Sequence, residues 1–170
     1  MSSTPPVTER YDPSRHDASS FDSGNETLDR WLVRYAGQSE RRDAARTFVI
    51  TDTGTVIGYY ALVAGELDHG DATLPTSQGV SRHYPIPVAI LARLAVDRRR
   101  RREGLGASLL RDALQRVVVA SEQLAVGAVV VHAIDEPAAR FYVHFGLRGL
   151  SSTPRTLMVT LAELRAAGYP

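Results

Sequence analysis

Apolar residues recur along this chain with two periods, and the alternation between them lays out its elements. Leu28, Trp31, Leu32 and Tyr35 fall three or four apart, with Asp29, Arg30 and Arg34 facing away, which is the one-sided stripe of an amphipathic helix. Ser23 and Glu26 ahead of it have the spacing of a capping box, so the helix is expected to open there and to fade after Gln38. Residues 47–51 and 56–65 are two β-rich runs joined by Asp52-Thr53-Gly54, the pattern of a hairpin. Residues 66–85 are polar, with Gly70, Pro75 and Gly79, and form a connection that is long for a compact domain.

Residues 88–96 are almost wholly apolar until Asp97, which predicts a strand covered on both faces. Leu105, Leu109, Leu110 and Leu114 then return to helical spacing, to about Glu122. Residues 128–134 read as a second buried strand beside the first. Asp135-Glu136-Pro137 opens a helix with Ala138, Phe141, Tyr142 and Phe145 on one face, and Gly146 stops it. Residues 156–161 are a last strand and 162–167 a short terminal helix. This order predicts a single α/β layer architecture with a mixed sheet. Residues 1–20, rich in Pro, Ser, Thr and charge, read as a flexible lead-in to a domain spanning 21–170.

Composition narrows the chemistry. The 170 residues contain no cysteine, which removes disulfides, thiol nucleophiles and thiolate metal sites. No apolar run reaches the roughly 20 residues of a membrane span, and the first residues lack the layout of a signal peptide, so the cytoplasm is the expected compartment. Net charge is only +1, yet every one of the 20 basic residues is arginine, and Arg98 to Arg102 are consecutive. His69 lies near Asp68 and Asp71 but without further ligands at metal spacing, so no metal is expected.

Those arginines lead into Gly104 and Gly106, which open the leucine-striped helix. Free backbone N–H groups and the positive end of the helix dipole meet there, and bare glycines let an anion approach, so the loop suits a phosphate. Neither a GxGxxG with its acidic residue nor a GxxxxGK[ST] can be read. What stands here is Arg101-Arg102-Glu103-Gly104-Leu105-Gly106-Ala107, which resembles the R/Q-x-x-G-x-G/A pyrophosphate loop of GNAT-superfamily N-acetyltransferases. Farther on, Arg140-Phe141-Tyr142-Val143-His144-Phe145-Gly146-Leu147 resembles the family's A-x-x-F/L-Y-x-x-x-G-F segment, with Leu147 replacing the usual aromatic.

The resemblance implies the GNAT fold, a mixed central sheet with a splayed pair of parallel strands flanked by helices, and acetyl-CoA as co-substrate. Cofactor contacts carry over to Leu94, Ala95, Val96, Arg101, Arg102, Glu103, Gly104, Leu105, Gly106, Ala107, Asp135 and Ala138. Tyr142 carries over as the general acid for the leaving thiolate; a tyrosine with a pKa of about 10 is protonated at neutral pH. Many family members have an acid on the strand before the loop, whereas Ala92-Arg93-Leu94 has none and Glu66 is the available substitute. A missing base favours an α-amine, with a pKa of about 7.7–8.0, over a lysine amine at about 10.4.

Phe21-Asp22-Ser23-Gly24-Asn25, Arg46-Thr47-Phe48-Val49, Gly58-Tyr59-Tyr60-Ala61-Leu62, Pro85-Ile86-Pro87, Leu91-Ala92-Arg93-Leu94-Ala95-Val96-Asp97 and Thr156-Leu157-Met158 narrow the resemblance to TacT-like toxins. These acetylate the α-amine of aminoacyl-tRNA and so block translation. That resemblance implies aminoacyl-tRNA as substrate and a ribbon-helix-helix antitoxin as partner, and leaves a homodimer open. Arg30, Arg34, Arg41, Arg42, Arg46, Arg82, Arg93 and Arg98 to Arg100 would form the RNA-binding rim. An acetyltransferase for a small amine or a protein N-terminus, and a non-catalytic GNAT-fold module binding RNA or an antitoxin, remain as alternatives.

Overall fold

The computed structural model describes residues 4–68, 85–150 and 153–169. In chain order the elements are β1 (Glu9–Arg10), α1 (Glu26–Arg34), α2 (Ala36–Arg41), β2 (Arg46–Asp52), β3 (Thr55–Leu67) and β4 (Ile86–Val96). A single 3-10 turn (Arg98–Arg100) follows, then α3 (Leu105–Ala120), β5 (Ala128–His132), α4 (Glu136–His144), β6 (Arg148–Gly149), β7 (Thr156–Thr160) and α5 (Leu161–Ala166). The strands hydrogen-bond in the order β1-β2-β3-β4-β5-β7-β6. The chain divides into two compact units, Met1–Val63 with Ala92–Ala113, and Ala64–Leu91 with Leu114–Pro170.

The first unit is built on the hairpin. Thr53 and Gly54 both take positive φ, 47° and 83°, the two-residue turn whose twist matches that of its strands. β2 and β3 then pair antiparallel from Asp52↔Thr55 to Arg46↔Leu62, with one irregularity between Ile50 and Thr51. Residues 4–20 are not a lead-in of composition alone: Glu9 and Arg10 pair with Val49 and Phe48, and Tyr11, His16 and Ala18 are buried. Tyr11, Phe21, Leu32, Ala36, Val49, Val56, Tyr59 and Ala95 share one core, with Leu28 and Trp31 packed against it.

Three local expectations are corrected here. Asn25, not Ser23, caps α1 by accepting from the Leu28 N–H at 3.2 Å. Ser23 instead donates its hydroxyl to Asp29 at 2.6 Å, so Asp29 turns back over the helix start and does not face away. Tyr35 leaves the apolar stripe and is half exposed, because α1 ends at Arg34 and α2 carries the chain on to Arg41.

In the second unit β4 runs parallel to β5, from Val88↔Ala128 to Leu91↔Val131, and β7 closes antiparallel on the far side of β5. Ile86, Val88, Ala128, Val130, Leu150 and Met158 form its core. The expected two-sided cover of β4 is partial. Ile86 and Val88 are buried, then Leu91 and Ala95, while Pro87 and Ala92 are exposed. The register with β5 is unbroken across Val88 to Leu91.

Candidate active site

In the first unit the phosphate-type loop begins at a buried acid, Asp97, which closes the apolar run of β4. Asp97 accepts from the backbone N–H of Asp22 at 3.1 Å and of Arg99 at 2.9 Å, and from the Arg99 guanidinium at 2.9 and 2.7 Å. The Arg99 side chain foremost, helped by these backbone donors, holds the Asp97 carboxyl well below the usual carboxylate range although burial opposes it. Arg98 pairs with Asp22 at 2.7 Å, Arg99 also donates to the Ser20 carbonyl, and Arg101 donates to the Ser23 carbonyl at 2.9 Å. Residues 20–23 therefore form a strap stitched to the turn. The signal for it was one polar residue closing an apolar run.

Arg100 is spent in the same way, lying between Asp52 at 2.8 Å and Glu103 at 2.7 Å. Its guanidinium lowers the Glu103 carboxyl and removes the unfavourable charge that an acid in this loop would otherwise present. Arg102 and Gly104 then take positive φ, 68° and 77°, and α3 starts at Leu105. A Cβ placed on Gly104 would meet nothing within 4 Å. The mouth of α3 is open, its first N–H groups lack intrahelical partners by the geometry of any helix, and Leu105 anchors it inward. Gly106 and Ala107 follow in the first turn. Leu94 and Val96 are half-buried and Ala95 is buried, all three on the strand leading into Asp97. These groups fit a diphosphate: an open glycine, a helix N-terminus, and Arg102 exposed with no acidic partner among the described residues.

In the second unit Asp135 caps α4 by accepting from the Ala138 N–H at 2.9 Å, with Pro137 in the first turn and Gly146 at φ 97° just past the end. Those two expected cofactor contacts thus bond to each other locally. Tyr142 lies on the inward face with Ala139, only 7% exposed, and Phe141 meets its ring edge-on at 5.2 Å. Burial pushes the phenol above its ordinary pKa, so it holds its proton well beyond neutrality. Its hydroxyl has no hydrogen-bond partner among the described residues. Tyr59, by contrast, donates to the Leu28 carbonyl at 2.7 Å. A buried tyrosine normally finds such a partner. Glu66, the substitute base, is exposed on β3.

The expected arginine rim separates into two sets. Arg30 pairs with Glu26 at 3.4 Å, Arg46 with Asp43 at 2.5 Å and Glu40 at 3.3 Å, and Arg98 to Arg100 with the acids named above. Arg34, Arg41 and Arg42 are exposed without an acidic partner among the described residues, and Arg93 packs on Trp31. Arg82, like His69 and Asp71, lies outside the described residues. Among those described, no three His, Cys, Asp or Glu side chains gather as metal ligands, and no helix is long and apolar enough to cross a membrane.

Comparison with known proteins shows which family the chain resembles. A family model described as "Acetyltransferase (GNAT) family" matches residues 8–147. The chain is 39% identical over 150 residues, 88% of its length and 89% of the relative's, to a tRNA-acetylating toxin of Mycobacterium tuberculosis (strain ATCC 25618 / H37Rv). It is 29% identical over 169 residues, covering 94% of itself and 93% of the relative, to a probable toxin TacT of Sinorhizobium fredii (strain NBRC 101917 / NGR234). Among solved structures it superposes on AtaT complexed with acetyl-methionyl-tRNAfMet with a TM-score of 0.86, at 25% identity and covering 95% and 98% of the two chains. On AtaTR bound with acetyl-CoA the TM-score is 0.81, at 27% identity and 95% and 96% coverage.

Proposed function

We propose that this chain, which belongs to the GNAT acetyltransferase family, transfers the acetyl group of acetyl-CoA to the α-amine of aminoacyl-tRNA and so acts as a toxin that stops translation. The acyl thioester supplies an activated acetyl group. The open mouth of α3, with Arg102 beside it, takes the diphosphate, and the backbone of Leu94 to Val96 takes the acyl arm. The amine attacks the carbonyl carbon, the C–S bond breaks, and Tyr142 gives its proton to the departing sulfur. The ammonium proton formed on the new amide nitrogen leaves to solvent, since residues 92–96 carry no acid.

The observation that supports the acid role is Tyr142 itself, a largely buried residue whose phenol is kept protonated and whose hydroxyl has no partner among the described residues. The amine follows from the missing base. At pH 7.5 roughly a third of an α-amine is neutral, against about 0.1% of a lysine amine. The substrate class is supported by the 39% identity to a tRNA-acetylating toxin. A ribbon-helix-helix antitoxin is the proposed partner, and a homodimer the assembly to test by light scattering.

Labelled acetyl-CoA offered to charged tRNA, a peptide panel and small amines, side by side, tests this reading. Label is expected in the aminoacyl moiety released from tRNA by mild base. Transfer to peptides or small amines alone removes the toxin reading and leaves a general N-acetyltransferase. Cofactor binding without transfer to any acceptor leaves a binding module.

A further inference from the structure

The first unit holds a cation whose surroundings do not explain it. Tyr59 is fully buried in β3, with Phe21 edge-on to it at 5.5 Å. Trp31 of α1 lies over Tyr59, centroids 6.0 Å apart and planes 12° from parallel. Against Trp31 sits the guanidinium of Arg93, its Cζ 4.1 Å from the ring centroid. Arg93 is half-buried and has no carboxylate partner among the described residues. Arg10, Arg15, Arg30, Arg46, Arg98, Arg99, Arg100 and Arg148, several of them more exposed, each have one.

A guanidinium that has given up water on one face ordinarily gains an acid in return. Desolvation here draws the Arg93 pKa down, with only the Tyr59 phenol opposing. The aromatic ring fixes the plane of the fork and leaves its N–H edge to a ligand. Such a fork suits an anion with two oxygens side by side, a phosphodiester or a carboxylate. Chemistry separates these. In an aminoacyl-RNA the carboxyl of the amino acid is esterified, so the anion nearest the reactive amine is the phosphodiester of the terminal nucleotides. Arg93 also precedes Leu94 directly, on the strand assigned to the acyl arm. Arg34, one turn along α1 from Trp31 and without an acid among the described residues, adds to the same charge.

We infer that Arg93, oriented by Trp31, is the substrate clamp of this enzyme and grips a phosphodiester near the single-stranded 3′ end of the RNA. The inference rests on the aminoacyl-tRNA reading and adds to it the residue that makes RNA, and not a free amine, the acceptor.

The test begins with the wild-type enzyme on charged tRNA, then R93Q, R93K and W31F, with KM for tRNA and for acetyl-CoA measured over a range of salt. Under R93Q the tRNA KM should rise about 10- to 100-fold, corresponding to one lost bidentate contact, at a stable acetyl-CoA KM. The slope of log KM against log salt should fall by about 0.7–0.9, one phosphate contact. R93K should restore the slope without the full affinity, and W31F should fall between. An unchanged tRNA KM and slope in R93Q, or an acetyl-CoA KM rising in step, overturns the clamp. So does a selective loss on acceptors with a free carboxylate, which would make Arg93 a carboxylate site. Wild-type failure on charged tRNA overturns the parent reading and the clamp with it.

Discussion

Replacing Tyr142 by phenylalanine separates a catalytic tyrosine from a packing one, because the two roles move stability and rate in different directions. Tyr142 is largely buried on the inward face of α4, and its hydroxyl has no partner among the described residues. Phe keeps the ring contacts and removes a hydroxyl that makes no hydrogen bond to the described residues, so stability should change by less than about 1 kcal/mol. Tyr59→Phe is the internal comparison. It loses the 2.7 Å bond to the Leu28 carbonyl, worth about 1 kcal/mol, or roughly 2–4 °C in melting temperature for a chain of this size. Rate should behave in reverse order. Loss of a general acid lowers kcat by about 10²- to 10⁴-fold, about 2.7–5.5 kcal/mol of barrier. Tyr142→Phe should therefore be folded, as stable as wild type, and nearly inactive.

The pH dependence has a fixed sign. Burial raises the Tyr142 pKa above its ordinary value near 10, so the acid form persists through neutral pH, and no fall in kcat from its ionisation should begin below about pH 10. Differential scanning calorimetry and single-turnover acetylation measured on one preparation give both quantities. A Tyr142→Phe enzyme that transfers acetyl at the wild-type rate, or one that loses rate only in proportion to lost folding, refutes the assignment.

Asp97→Ala removes the acceptor for two backbone and two guanidinium contacts. Stability in urea should fall by about 2–4 kcal/mol, with a higher acetyl-CoA KM as the strap loosens; a loss under 0.5 kcal/mol denies the strap. The Asp97 pKa is depressed in the folded protein, so its contribution is complete above the unfolded value near 3.9 and is lost as pH falls below it. Wild type should accordingly weaken in acid more steeply than Asp97→Ala, a difference that denaturant titrations from pH 5 to pH 2 would reveal. Gly104→Ala meets no atom but must hold φ at 77°, costing about 1–2 kcal/mol. Calorimetric titration should show weaker acetyl-CoA binding, and unchanged binding would exclude the α3 mouth as the diphosphate site.

The elements were legible wherever a short-range rule governs them. Thr53-Gly54 fixes a hairpin, Asp135 and Pro137 open a helix, and Gly146 ends it, each through the backbone conformation of one or two residues. Gly104 announced an open helix mouth for the same reason. The capping box at Ser23 misled because the capping role passed to Asn25, two residues on. A longer-range demand decided it: Asp22 and Ser23 are held by Asp97, Arg98 and Arg101, some 75 residues away in sequence. Likewise β1 is hidden in composition, since two residues have no period and exist as strand only through pairing with Val49 and Phe48.

By itself the sequence determined the order of the longer strands and helices, the glycine-opened anion loop and the tyrosine on the inner face of α4, because periodicity, turn chemistry and motif spacing act over a few residues. Tertiary structure alone decided which arginines carry free charge. In the sequence all 20 look alike; in the fold Arg30, Arg46 and Arg98 to Arg100 are neutralised by Asp22, Glu26, Glu40, Asp43, Asp52, Asp97 or Glu103, while Arg93 is set on a tryptophan. The energy of an ion depends on what lies within a few ångströms of it, and that neighbourhood is assembled from parts of the chain that no local pattern connects.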